Sequence, residues 1–411
     1  MIRPVQLTDD EFASIAHLVP GPEPVLRAPV PGPDDEGPVP GRPIPVCEPL
    51  LDGNERAYVL EALDGNWISS AGPFVARFEE AFAAASGCRF GVACSSGTAA
   101  LHLALAAAGI EEGDEVIIPA FTMVATANAV RFLGATPVLV DSEPETGNLD
   151  VAQVAARITA RTRAIVPVHI YGHPVDMAPL RELAERHGLA VIEDAAEAHG
   201  ARYRDEPVGA LGDAAAFSFF ANKVLTTGEG GMVTTDDPRL ADRARELRDL
   251  SFSTERHFWH RSVAFNYRMT NLQAAVGLAQ TERLGALVDA RRANARRYAE
   301  ALAPVPGLRL IEERPGVRSA CWMVGVVVDE GAFGCTRDEL RDRLAARGVE
   351  TRTFFVPMHL QPAYFHAHVG ERYPVAEELG RTGLYLPSSS GLTDDEIAYV
   401  AREVRRAADR G

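Results

Sequence analysis

The chain has no Cys-x-x-Cys pair: its five cysteines, Cys47, Cys88, Cys94, Cys321 and Cys335, are odd in number and widely spaced. A disulfide framework or a zinc knuckle needs a tighter pattern, so this usage points to free thiols in a reducing compartment. Long apolar runs are missing too. No stretch approaches the ~20 residues that span a bilayer, and residues 1–10 hold acids where a signal peptide carries its apolar core. A cytoplasmic protein without a membrane partner is expected. Positive charge is not in excess either: 41 Lys and Arg stand against 57 Asp and Glu, a net charge of −16. Such a surface repels phosphate backbones, which argues against nucleic acid while leaving room for one basic cleft that takes a small anion.

What is present suits a soluble enzyme of two domains. The chain has 411 residues, 46% apolar and 24% charged, more than one compact core usually holds. Residues 1–42 stand apart as a proline-rich arm. Pro20, Pro22, Pro24, Pro29, Pro31, Pro33, Pro38, Pro40, Pro43 and Pro45 exclude helix over residues 21–45. That stretch reads as a disordered linker, a surface arm, or an arm crossing to a partner subunit. Only residues 9–18 suit a short helix, capped by Thr8.

From residue 86 onward β-branched runs alternate with helical stretches. Strands are expected at 115–119, 136–141, 163–168, 190–194, 214–220 and 231–235, with helices at 98–108, 123–133, 150–160 and 177–187. Strand–helix–strand repetition predicts a mainly parallel sheet with right-handed crossovers. The last two strands leave no room for a helix, so one sheet member is expected to be antiparallel. A long helical region over 271–303 follows, then a strand near 322–328, a helix at 337–347 and a final helix from Asp394. The expected division is a large domain over 43–283 and a smaller α/β domain over 284–411.

Three expected strand ends carry unusual residues, and in such sheets ligands bind at that edge. Cys94-Ser95-Ser96-Gly97-Thr98-Ala99-Ala100-Leu101-His102 runs from small residues into a helix, whose free amides attract an anion; an ordinary helix cap would look similar. Ile192-Glu193-Asp194-Ala195-Ala196-Glu197-Ala198-His199-Gly200 ends an apolar strand in carboxylates that need a cationic partner or a proton. A protonated pyridine nitrogen would serve, and a simple cap at Asp194 is the alternative. Phe217-Ser218-Phe219-Phe220-Ala221-Asn222-Lys223-Val224 places a lysine between aromatic and apolar residues, where it loses its proton readily and becomes nucleophilic.

These segments, with Phe265-Asn266-Tyr267-Arg268-Met269-Thr270-Asn271-Leu272-Gln273, occur in an order that resembles the DegT/DnrJ/EryC1/StrS family of sugar aminotransferases, in particular its GDP-perosamine synthase-like branch. The likeness runs from about residue 43 to the end. It implies a pyridoxal-phosphate-dependent transferase of fold type I, aspartate-aminotransferase-like. Lys223 would form the Schiff base and move the proton, while Asp194 pairs with the pyridinium nitrogen. Glu197 would lie near the phenolic oxygen; Gly97, Thr98 and Ser218 would hold the phosphate. Asn266 would reach the phosphate of the neighbouring subunit, which makes a homodimer with shared active sites. L-Glutamate and a keto-sugar, nucleotide-linked, are the implied substrates. Met123 falls where many members stack an aromatic ring on the cofactor, and a thioether packs there acceptably. Ala221 replaces a glycine of the nearest branch.

Substrate candidates are weaker. Arg268 and Arg261 could meet a diphosphate or a donor carboxylate, or be surface charge. His359 could line the sugar site or be structural. Trp67, Ser69 and Ser70 match a stretch that shapes the entrance. His257 and His260 lack companions at ligand spacing, so no metal is expected. Two other readings stand beside the first: the same chemistry on a non-nucleotide keto acceptor, and a cofactor-binding regulator without turnover.

Overall fold

Seven strands form the central sheet: β1 (Phe90–Cys94), β2 (Glu115–Pro119), β3 (Thr136–Val140), β4 (Thr162–Ile165), β5 (Ala190–Asp194), β6 (Ala214–Ser218) and β7 (Gly231–Thr235). They lie in the order β1-β7-β6-β5-β4-β2-β3. Pairing is parallel from β3 through to β6, while β7 runs antiparallel to both β6 and β1. The antiparallel member expected from the missing crossover is therefore β7. β2 and β7 are buried along their whole length, as strands covered on both faces are. This computed structural model describes residues 5–29, 39–253, 255–256 and 258–408; Pro31, Pro33, Pro38 and His257 lie outside them.

A second sheet holds β8 (Leu308–Leu310), β9 (Val324–Val328), β10 (Arg352–Thr353) and β11 (Gly383–Leu386), all antiparallel, in the order β8-β9-β11-β10. It has its own apolar core with Tyr298, Leu340, Tyr399 and Val404, and Ile44 belongs to that core. The helical region over 271–303 is two helices, Asn271–Glu282 and Leu284–Leu302, parted at Arg283. Thr270 opens the first with a reciprocal capping box to Gln273. The expected helix over 150–160 is shorter, Val151–Val154 with one further 3-10 turn. No helix among the described residues is long and apolar enough to cross a membrane.

The arm lies on its own chain. Thr8 caps Asp9–Ile15 through a capping box with Glu11. Further on, the Gly21 amide donates to Asp338 at 3.0 Å, and Arg341 donates to the carbonyls of Gly21 and Pro22 at 3.1 and 2.8 Å. The Arg27 amide reaches the Ala345 carbonyl at 3.0 Å. A proline-rich chain has few donors of its own; here the Arg337–Ala346 helix accepts from the two amides, through Asp338 and Ala345, and donates to the free carbonyls through Arg341.

Candidate active site

The strand ends β1, β5 and β6 and the start of the Gly97–Ala107 helix converge on a cavity of about 400 Å³. Gly97, Thr98, Met123, Asp194, Glu197, Ser218 and Lys223 all line it. Seven residues spread over positions 97 to 223 are thus brought together. Trp322, Phe355 and Tyr385 close the side opposite the sheet.

Lys223 lies at the centre with 11% of its side chain exposed, its Nζ 3.8 Å from Glu197 Oε1 and 3.8 Å from the centre of the Trp322 ring. Burial lowers the pKa of the amine from 10.5, against the opposing pull of Glu197 and Asp194. Glu197 is itself buried, and its pKa rises to about 7. Its Oε2 accepts the Tyr171 amide at 2.7 Å. Tyr171 has φ 52°, a left-handed backbone that costs energy in a non-glycine residue and aims this amide inward.

Asp194 ends β5, 4% exposed, and burial raises its pKa. Oδ2 accepts the Thr126 hydroxyl at 2.7 Å and Oδ1 the Ala196 amide at 3.2 Å. A turn follows rather than a helix, so the helix-cap alternative fails. A carboxylate with only two donors in so buried a place favours a cationic N–H at its free face.

At the opposite end, Ser96 Oγ caps Ala99 at 3.1 Å, while the Gly97 and Thr98 amides have no hydrogen-bond partner among the described residues. Helix N-termini of this kind hold phosphate. A Cβ on Gly97 would stand 2.5 Å from Ser218 Cβ, so side-chain-free backbone is what lets β6 pack against the helix start. The donor set fits pyridoxal phosphate: an anion cup, a buried carboxylate for the ring nitrogen and an amine between them.

Four expected residues lie elsewhere. Asn266 is exposed and bridges to Asp249 away from this cavity. Arg268 is ion-paired with Asp249 and lines a separate cleft with Ser70, Arg248 and Phe252. Arg261 pairs on the surface with Glu255 at 3.3 Å. His359 is buried, bonded to Glu377 at 3.2 Å and packed on Tyr373; it faces the groove beneath the arm, which favours its structural reading. Among the described residues no cluster of His, Cys, Asp and Glu could hold a metal.

Sequence reasoning missed Thr126, Tyr171, Trp322 and Tyr385, whose roles depend on contacts from distant parts of the chain. One signal was within reach of counting: Lys223 is the only lysine among 411 residues.

A mainly parallel sheet with a buried lysine between carboxylates and a phosphate cup defines a pyridoxal-phosphate-dependent transferase of the aspartate-aminotransferase-like fold. Comparison with known proteins narrows this. Residues 49–405 match the DegT/DnrJ/EryC1/StrS aminotransferase family. GDP-perosamine synthase of Caulobacter vibrioides is 51% identical over 359 residues, covering 87% of this chain and 96% of that one. dTDP-3-amino-3,4,6-trideoxy-alpha-D-glucose transaminase of Streptomyces venezuelae is 43% identical, covering 88% and 93%. The crystal structure of S. venezuelae DesV in complex with a ketimine intermediate superposes with a TM-score of 0.82 at 41% identity, over 87% of this chain and 95% of that one. The chain belongs to the DegT/DnrJ/EryC1/StrS family and is a pyridoxal-phosphate-dependent aminotransferase.

Proposed function

We propose that this enzyme moves an amino group from L-glutamate to the keto carbon of a nucleotide-linked sugar, in two half-reactions at Lys223. The observation that carries the reading is the buried Lys223 set 3.8 Å from Glu197, in one cavity with Asp194. The sugar acceptor follows from the 51% identity to a GDP-perosamine synthase over nearly its whole length. The glutamate donor follows from the family resemblance alone.

Pyridoxal phosphate supplies a carbonyl carbon that takes up the amino group and a protonated ring that draws off the electron pair released at carbon. Every other part falls to the protein. The Gly97 and Thr98 amides and the Ser218 hydroxyl anchor the phosphate. Asp194 holds the proton on the ring nitrogen, and the Thr126 hydroxyl fixes the carboxylate's direction. Burial lowers the pKa of Nζ, which favours the neutral amine that would take a proton from the donor's α-carbon and deliver it to the cofactor carbon bonded to the transferred nitrogen. Glu197 balances the charge that Lys223 gains. Trp322 and Tyr385 exclude water from Nζ, and Met123, half exposed at the rim, packs against the ring.

The working form is a homodimer. Asn266 is exposed outside its own cavity, on a segment whose Tyr267 carbonyl accepts the Ser95 amide at 2.8 Å beside the phosphate cup. Nearby Val263 is 94% exposed and Trp259 58%, apolar surface of the kind an interface covers. Incubating the holoenzyme with glutamate and a nucleotide-linked 4-keto-6-deoxy sugar tests the reading. Formation of the amino sugar with 2-oxoglutarate supports it; turnover only with free keto-sugars or cyclitols would replace the acceptor.

A further inference from the structure

Behind the Lys223 loop lies a charged residue that the proposed reaction does not use. Arg291, on the Leu284–Leu302 helix, is 2% exposed and is one of the largest fully buried side chains among the described residues. No carboxylate pairs with it among the described residues. A buried charge without a counter-ion survives only when its donors are all taken, and here the five N–H groups of the guanidinium have five acceptors. Nε donates to Ser390 Oγ at 3.1 Å, and Nη1 donates to the Trp322 and Ser388 carbonyls at 2.7 and 2.9 Å. Nη2 donates to Cys47 Sγ at 3.3 Å and, at a long 3.5 Å, to the Lys223 carbonyl.

The same groups bind one another. The Trp322 indole N–H donates to the Asn222 carbonyl at 2.7 Å, and the Cys47 thiol donates to it at 3.0 Å. Four segments remote in sequence, around Cys47, Asn222–Lys223, Trp322 and Ser388–Ser390, therefore close around one cation. Trp322 is also the ring that covers Nζ. This is more than a staple, because the positive charge ends against the backbone of the reacting residue.

We propose that Arg291 is a positioning residue for the transamination: it fixes the Asn222–Lys223 backbone and Trp322 around Nζ, and its unneutralised charge repels a proton from the amine. The inference rests on Lys223 as the reacting lysine. Other groups also face Nζ: Asp194 of β5, Glu197 of the following turn, Cys47 of the segment after the arm, and more distantly Tyr385 of β11 and His199. The two carboxylates attract the proton; Arg291 opposes them, and burial acts in the same direction as Arg291.

A single-lysine chain makes the test direct. Cofactor-free protein grown on lysine labelled with ¹³C at Cε shows one lysine cross-peak, whose shift against pH reports the Nζ proton. Arg291→Met is expected to raise the midpoint, because it removes the positive charge that opposes Glu197 and Asp194 at the amine. Arg291→Lys loses the fork, and its own labelled peak shows over which pH range residue 291 is charged; over that range the Lys223 midpoint should stay near that of the wild type. Its additional peak is identified by adding Lys223→Met. A folded Arg291→Met protein with an unmoved midpoint overturns the proposal. So does an Arg291→Lys midpoint that rises while residue 291 is charged, and this second variant decides the matter if Arg291→Met does not fold. Borohydride trapping on the wild type with cofactor separates the two readings. No adduct at Lys223 removes the assignment of Lys223 itself, whereas an adduct with an unmoved midpoint removes only the part given to Arg291.

Discussion

Lys223 Nζ and Glu197 Oε1 stand 3.8 Å apart in a site where burial pushes both toward their neutral forms. Glu197 titrates near 7 when folded against 4.5 when unfolded, so the folded protein binds more protons between these values. Stability gained from the protonated acid is present below pH 4.5 and is lost as pH rises through 7. At ~1.4 kcal/mol per unit the loss is on the order of 3 kcal/mol. Urea denaturation of the cofactor-free protein should show stability declining across pH 5–7, and Glu197→Gln should flatten the decline. A slope unaltered by that variant would place the titrating group elsewhere.

Lys223→Ala should end transamination while leaving the fold intact. The side chain contributes no buried hydrogen bond to the core, and Trp322 keeps its bond to the Asn222 carbonyl. Because no second lysine exists, no other side-chain amine can substitute. Circular dichroism like that of the wild type, together with turnover below detection, is the expected pair of results.

Asp194→Asn should bind the cofactor and lose activity by about a hundredfold or more, the scale of removing a preorganised electrostatic partner. The amide still meets the Thr126 hydroxyl but no longer stabilises a protonated ring nitrogen. Single-turnover kinetics with glutamate measure this, and a rate within threefold (about 0.6 kcal/mol) of the wild type would reduce Asp194 to a structural role.

Gly97→Ala tests the phosphate cup. Its Cβ would lie 2.5 Å from Ser218 Cβ, forcing the helix start away from β6 at a cost of about 1–3 kcal/mol. Cofactor affinity should fall about tenfold or more, with inorganic phosphate binding weakened in parallel. Equilibrium dialysis checks both.

Subunit mixing tests the shared site. Asn266→Ala and Lys223→Ala chains are each expected to be nearly inactive alone. A heterodimer carries both lesions in one site and neither in the other. Random exchange should then restore about a quarter of the wild-type rate. Proven exchange without recovery would show that Asn266 serves no partner site.

Much of this was legible because buried parallel strands announce themselves by composition. The 115–119, 190–194 and 231–235 runs are strands as read, and the antiparallel place of β7 followed from a missing helix. Other features are set by partners hundreds of residues away. The arm over 21–29 is ordered by Asp338, Arg341 and Ala345, which no local pattern reveals. The break at Arg283 was hidden because apolar periodicity continues through it. His359 matched a family segment, yet its bond to Glu377 turns it away from the cavity. Arg291 looked like one more charge on an Ala- and Arg-rich helix, and only the fold shows it buried.

The central claim is that Lys223 is the amine through which the amino group passes. Borohydride reduction of the holoenzyme followed by peptide mass analysis tests it most directly. The account predicts a reduced pyridoxyl adduct on the peptide carrying Lys223, abolished when the enzyme is first treated with L-glutamate. An adduct confined to the N-terminal amine, or one at Lys223 that glutamate leaves in place, would contradict it.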